Sequence, residues 1–126
     1  MLRKRTFLIT ILYTLCLTIV CLMTIDMDKV EEYAPSYIDK IFHFCAYLLF
    51  NGFWFATFVI RFGKRKRIAF FYAIIFSVIF GIIIECLQWL ITTSRSFDLI
   101  DILFNIAGVL VSSLLITGYF KLVKKQ

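Results

Sequence analysis

Asp39 and His43 stand at i,i+4, Lys40 and His43 at i,i+3, and Tyr47 follows His43 by one further turn. Gly81, Glu85 and Gln88 stand at i,i+4,i+7, while Asp98, Asp101, Asn105 and Gly108 stand at i,i+3,i+7,i+10. At helical periodicity each set lies on one face of its segment. Imidazole beside a carboxylate can act as a base with its orienting partner. Lys40 and Arg95, next to hydrogen-bonding side chains, can hold a phosphate or zwitterion through charge-assisted hydrogen bonds. Imidazole and carboxylate oxygens are also metal donors: Zn²⁺ would need three or four of them to converge, and Mg²⁺ or Ca²⁺ would use the carboxylates.

The elements that position these side chains are apolar throughout. The 126 residues are 62% hydrophobic, with a mean hydropathy of +0.92, outside the composition of soluble domains. Thr6 to Ile25 carries no charge, and Ile41 to Ile60 is interrupted only by His43 and Asn51. Ile68 to Ile91 carries Glu85 alone, and Phe97 to Phe120 carries Asp98 and Asp101 near its start. A membrane helix needs ~20 apolar residues, so each run is long enough to span. The expectation is an all-α bundle of four transmembrane helices, spans about 6–25, 41–62, 68–91 and 97–120, forming a single domain over residues 1–126. Span one has the basic start of a signal peptide, but its apolar run exceeds the ~7–15 residues of an h-region and no small-x-small site follows. It reads as a retained span.

Charge sets the expected orientation. Arg3, Lys4, Arg5, Arg61, Lys64, Arg65, Lys66, Arg67, Lys121, Lys124 and Lys125 fall in alternate connections and tails, against Lys29, Lys40 and Arg95 in the others. Under the positive-inside rule both termini are cytoplasmic, with the Asp26–Ile38 loop and the Thr92–Ser96 turn outside. This arrangement accounts for the net charge of +6 and makes nucleic acid an unneeded partner. Pro35, Tyr33 and Tyr37 suggest a turn at the interface, where Tyr is favoured.

The polar sets then share the outer half of the bundle, as an outward-facing polar cleft. At ~1.5 Å rise per residue, Glu85 and Asn105 lie ~10 Å below the surface. An ionised carboxylate facing lipid there costs on the order of 2 kcal/mol or more, so Glu85 and Asp101 must face the bundle interior. Arg95 is the expected partner for the carboxylates, with Lys40 second. Four carboxylates (Asp39, Glu85, Asp98, Asp101) against these two cations leave the set two positive charges short. Protonation of His43 or of a carboxyl group, or entry of a cationic group, would restore balance. Gly81 and Gly108 allow close helix approach, and Asn51 reads as a helix–helix contact outside the cluster. Cys16, Cys21, Cys45 and Cys86 form no CxxC pair and read as apolar filler. Thr10, Thr14 and Thr18, one turn apart, mark either a packing face or bonding back to their own helix.

The series D39-K40-x-x-H43-F44-x-x-Y47, E85-x-x-Q88 and R95-S96-F97-D98-x-x-D101-x-x-x-N105-x-x-G108 resembles that of the VanZ-like family, small bacterial membrane proteins named for a member linked to low-level teicoplanin resistance. The resemblance spans Asp39 to Gly108 and implies a multi-pass protein of the bacterial cell membrane with a cell-envelope role. Its expected site comprises Asp39, Lys40, His43, Tyr47, Glu85, Gln88, Arg95, Asp98, Asp101 and Asn105, with no cofactor and no resident metal. The expected partners are membrane lipids, with a lipid-linked cell-wall precursor or a glycopeptide as ligand. Such a site would bind a polar headgroup, precursor or drug in the outer leaflet. The alternative is an intramembrane hydrolase or transferase acting on a lipid-linked envelope substrate, although GxSxG and HExxH are absent and the chain has one histidine. A transporter is disfavoured, because the polar groups are confined to one half of the bundle.

Overall fold

The computed structural model describes residues 1–23, 37–91 and 97–124. These form helices α1 (Leu2–Leu22), α2 (Tyr37–Ile60), α3 (Lys66–Ile91) and α4 (Leu99–Val123), with no strand among the described residues. All four are long and apolar enough to cross a membrane. All four helices reach past the apolar runs that announce them, α4 running on through Lys121 to Val123. α1 takes in Arg3, Lys4 and Arg5, α2 starts at Tyr37 so that Asp39 lies in its first turn, and α3 starts at Lys66. Charged residues are ordinary helix formers, and at the end of a span they meet water or headgroups rather than hydrocarbon.

The outside of the bundle is apolar and the inside is partly polar. Leu8, Leu12, Leu15 and Ile19 of α1, Ile75, Ile79 and Ile83 of α3, and Leu103, Leu110 and Leu114 of α4 are exposed. A soluble protein could not present so continuous an apolar surface; against lipid it is the expected one. The interior holds Phe50, Trp54, Ile84 and Val109 beside Thr10, Asn51, Thr57, Ser77, Ser112 and Ser113. Phe50 stacks on Phe80 at 4.6 Å between ring centroids, and Trp54 meets Phe76 at 4.5 Å, fixing α2 antiparallel to α3.

At mid-bundle Asn51 donates to Ser112 Oγ at 3.1 Å and accepts from Ser77 Oγ at 3.5 Å, joining α2, α3 and α4. Asn51 is thus the helix–helix contact that its depth suggests. The threonines of α1 do both things expected of them. Thr14 and Thr18 bond back to carbonyls one turn earlier, while Thr10 meets Thr57 Oγ1 at 2.8 Å and Thr14 accepts from Trp54 Nε1.

The pairs Lys40–Asp101, His43–Asn105, Asn51–Ser112 and Phe55–Phe120 show that α2 and α4 run parallel. Their contact is close because Gly108 has no side chain: a Cβ there would collide with the carbonyl oxygen of Phe44. The short α2–α3 connection turns on Gly63, whose φ of 62° lies in the left-handed region, and Lys64 N–H closes back onto Phe58 O at 2.9 Å. The starts of α2 and α4 and the ends of α1 and α3 therefore share one end of the bundle. Arg3, Lys4, Arg5, Arg61, Lys64, Lys66 and Lys121 gather at the other, where the Arg61 guanidinium faces the Phe7 ring and the Lys66 ammonium lies 4.2 Å from that of Phe120.

Candidate polar site at one end of the bundle

Nine of the ten expected site residues lie among the described residues, all at the shared end of the bundle. Arg95 and the rest of the Thr92–Ser96 turn lie outside the described residues, as does the loop carrying Tyr33 and Pro35.

Asp98 opens the site from below α4. It is the N-cap of that helix, its Oδ1 accepting the Ile100 N–H at 2.8 Å, as a carboxylate at the positive end of a helix should. Its other oxygen accepts from Lys40 Nζ at 3.3 Å. Burial pushes the Asp98 carboxyl up, but the Ile100 amide and the Lys40 ammonium outweigh this and hold it below the usual aspartate value.

Lys40 bridges two carboxylates, donating also to Asp101 Oδ1 at 3.0 Å. Here the helix periodicity is at work: Asp98 and Asp101, one turn apart at the start of α4, present their carboxylates to the same ammonium on α2. Exposure falls along the chain of contacts, from 36% at Asp98 and 26% at Lys40 to 8% at Asp101 and 1% at His43. The charged rim thus leads to a buried imidazole.

His43 is held from one side and open on the other. Its Nδ1 lies 3.1 Å from Asn105 Oδ1. An amide oxygen only accepts, so Nδ1 carries the proton and donates. Nε2 makes no hydrogen bond; it faces Asp39 Oδ1 at 3.8 Å and Asp101 Oδ2 at 3.7 Å.

Deeper in, Tyr47 is fully buried, and the site of a Cβ on Gly81 would lie 3.0 Å from its ring and 3.3 Å from Asn105 Nδ2. Gly81 therefore lets α3 approach the α2–α4 pair at this point. One turn on, buried Glu85 accepts the Asp98 N–H through Oε1 at 3.0 Å. Gln88 is buried too, and its Nε2 donates at 2.8 Å to the Cys21 carbonyl, tying α3 to the end of α1.

Two partners in this arrangement carry no side-chain signal and escape a reading of the sequence: the Asp98 amide that meets Glu85, and the Phe44 carbonyl against Gly108. The stripe spacing of α4 was the available clue to both. Lys40 takes two of the four carboxylates; of Arg95, expected first, nothing is described.

Four apolar spanning helices around a polar, titratable cluster at one end define a multi-pass integral membrane protein. The particular lineage follows from the sequence: the VanZ/LLP1 family profile matches residues 4–122, nearly the whole chain, and the protein belongs to that family. No curated protein and no solved structure matches it significantly.

Proposed function

We propose that this protein acts in the bacterial cell envelope, with the cluster end of the bundle outward, and binds the polar head of a lipid-linked cell-wall precursor or a lipoglycopeptide in the outer leaflet. Such binding would lower susceptibility to teicoplanin by holding the drug or its target, or by altering access between them. One observation carries the reading. His43 Nε2, Tyr47 OH, Glu85 Oε2 and Asn105 Nδ2 are buried polar atoms that make no hydrogen bond, and all belong to the cluster. A buried polar atom without a partner costs about 1–3 kcal/mol. The mid-bundle amide of Asn51, by contrast, is bonded at both its atoms. Among the described residues the buried polar capacity left unused lies at this one end of the bundle, which is what a ligand site offers before binding. The basic residues at the opposite end support the outward orientation through the positive-inside rule.

The test is direct binding to purified protein in lipid nanodiscs, titrating teicoplanin in one series and a lipid-linked precursor in another. Saturable binding of at least one is expected, weakened about tenfold or more by Tyr47→Phe and by Glu85→Gln, a loss near 1.4 kcal/mol. Absence of saturable binding for both ligands, or affinities unchanged in the two variants, overturns the proposal.

A second reading, a hydrolase or transferase acting on a lipid-linked substrate, draws on the same imidazole. With Nδ1 donating to Asn105, the neutral ring presents its lone pair at Nε2, the form a general base requires. Turnover of labelled precursor by the wild-type protein and its loss in Asn105→Ala would favour it over simple binding.

A further inference from the structure

We propose that Asp39, His43 and Asp101 form a binding site for a divalent transition-metal cation of the Zn²⁺ class. One donor atom from each residue lies within 4.8 Å of the other two. Donors about 2.0–2.2 Å from a common ion stand roughly 3–3.6 Å apart, so the two His43 distances of 3.7 and 3.8 Å need a few tenths of an ångström of contraction, and the two carboxylates, within 4.8 Å of each other, must also draw together. Asp39 is placed to supply it, being 24% exposed in the first turn of α2.

The inference does not rest on the acidic residues alone. His43 is 1% exposed, and the Nε2 that faces both carboxylates makes no hydrogen bond. Because Nδ1 donates to Asn105, a neutral ring turns the Nε2 lone pair toward two electron-rich oxygens. A cation seated among these three atoms would be attracted by all of them, beside the Lys40 ammonium that already meets Asp101 Oδ1.

The surroundings also match what metal-binding side chains require. Ligating imidazoles hand their other N–H to an oxygen acceptor, and ligating carboxylates are themselves hydrogen-bonded. Asn105 does the first. Lys40 does the second on Asp101 Oδ1, leaving Oδ2 as the oxygen that faces His43. Imidazole with carboxylates favours Zn²⁺ and its neighbours over Mg²⁺ or Ca²⁺, which prefer oxygen alone. This inference goes beyond the headgroup reading and stands whether or not a lipid-linked molecule binds.

The experiment uses the single histidine of the chain. Full-length, tag-free protein carrying nitrogen-15 histidine is stripped with a chelator, placed in nanodiscs and titrated with Zn²⁺. The Nε2 resonance of His43 is expected to shift on stoichiometric addition while Nδ1 keeps its proton. Asp101→Asn, which preserves shape and an oxygen for Lys40, should weaken Zn²⁺ binding at least about tenfold, as should Asn105→Ala acting on the ring. An Nε2 resonance unmoved at saturating Zn²⁺ overturns the proposal, because ion bound elsewhere, for example at the cysteines, would leave it unchanged. So does Zn²⁺ affinity that is the same in Asp101→Asn as in wild type. Titration of precursor and teicoplanin into the same nanodiscs separates the two ideas: failure there with a shifted His43 sinks the headgroup reading alone.

Discussion

Glu85 Oε1 accepts the backbone N–H of Asp98 at 3.0 Å, and this bond ties the last turns of α3 to the residue that caps α4. The same Asp98 then reaches α2 through Lys40. Three helices are therefore registered at one end by one acidic residue and its amide. Replacing Glu85 by Ala leaves that amide and a buried hollow behind. We expect a loss of about 1–3 kcal/mol, read as a lower midpoint of thermal unfolding in detergent. Glu85→Gln keeps an oxygen acceptor and should lose clearly less. Equal losses in the two variants would show that the hydrogen bond contributes little.

The approach of α2 to α4 gives a second, sharper expectation. Gly108→Ala places a methyl group against the Phe44 carbonyl, a backbone atom that can yield only if the helices separate. Separation stretches Lys40–Asp101 and His43–Asn105 together, so a loss of about 2 kcal/mol or more is expected. Gly81→Ala meets the Tyr47 ring at 3.0 Å, a side chain able to tilt, and should cost roughly half as much. Gly118→Ala has nothing within 4 Å and should be neutral or stabilising by a few tenths, as Ala is the better helix former. Unfolding of the three variants side by side checks the order; Gly108→Ala no worse than Gly118→Ala would contradict the packing.

Much of this was open to reading in the sequence. Apolar runs of about twenty residues, each with few or no charges, announce the number of helices. The spacing of Asp101, Asn105 and Gly108 correctly marked one buried face of α4, and that of Gly81, Glu85 and Gln88 marked one of α3. Periodicity identifies faces but not partners. That α2 pairs with α4 in parallel, that Lys40 bridges Asp98 and Asp101, and that Gln88 donates toward α1 depend on how helices assemble, which no local pattern encodes. Ser77, Ser112 and Ser113 stayed silent for a related reason. Small hydroxyl residues are common in membrane helices and declare a role only once a buried amide such as Asn51 is seen beside them.

The two buried amides should separate structure from ligand binding. Asn51 joins three helices at mid-bundle but touches none of the cluster contacts described above. Asn51→Ala is expected to destabilise by about 0.6 kcal/mol, the average for interhelical hydrogen bonds in membranes, and to leave Zn²⁺ affinity unchanged. Asn105→Ala frees the His43 ring and should reduce Zn²⁺ affinity by about ten- to a hundredfold. Isothermal titration beside thermal unfolding makes the comparison, and equal effects of both variants on affinity would mean that the loss is general loosening rather than release of the imidazole.

Orientation can be tested without any ligand. The end carrying Asp39 and the end carrying Lys64 lie on opposite sides of the bundle, and the proposed orientation, with the Lys- and Arg-rich end near Lys64 in the cytoplasm, is the one the positive-inside rule favours. In a variant with its four cysteines replaced, a single cysteine at position 39 should react with a membrane-impermeant maleimide applied to intact cells. A cysteine at position 64 should react only after the cells are opened. The mid-bundle pairs need not change for the opposite result to appear, because an inverted bundle has the same contacts. Labelling at 64 in intact cells would therefore leave the helix packing and the cation site standing while turning the cluster toward the cytoplasm, where neither a glycopeptide nor an outer-leaflet precursor reaches it.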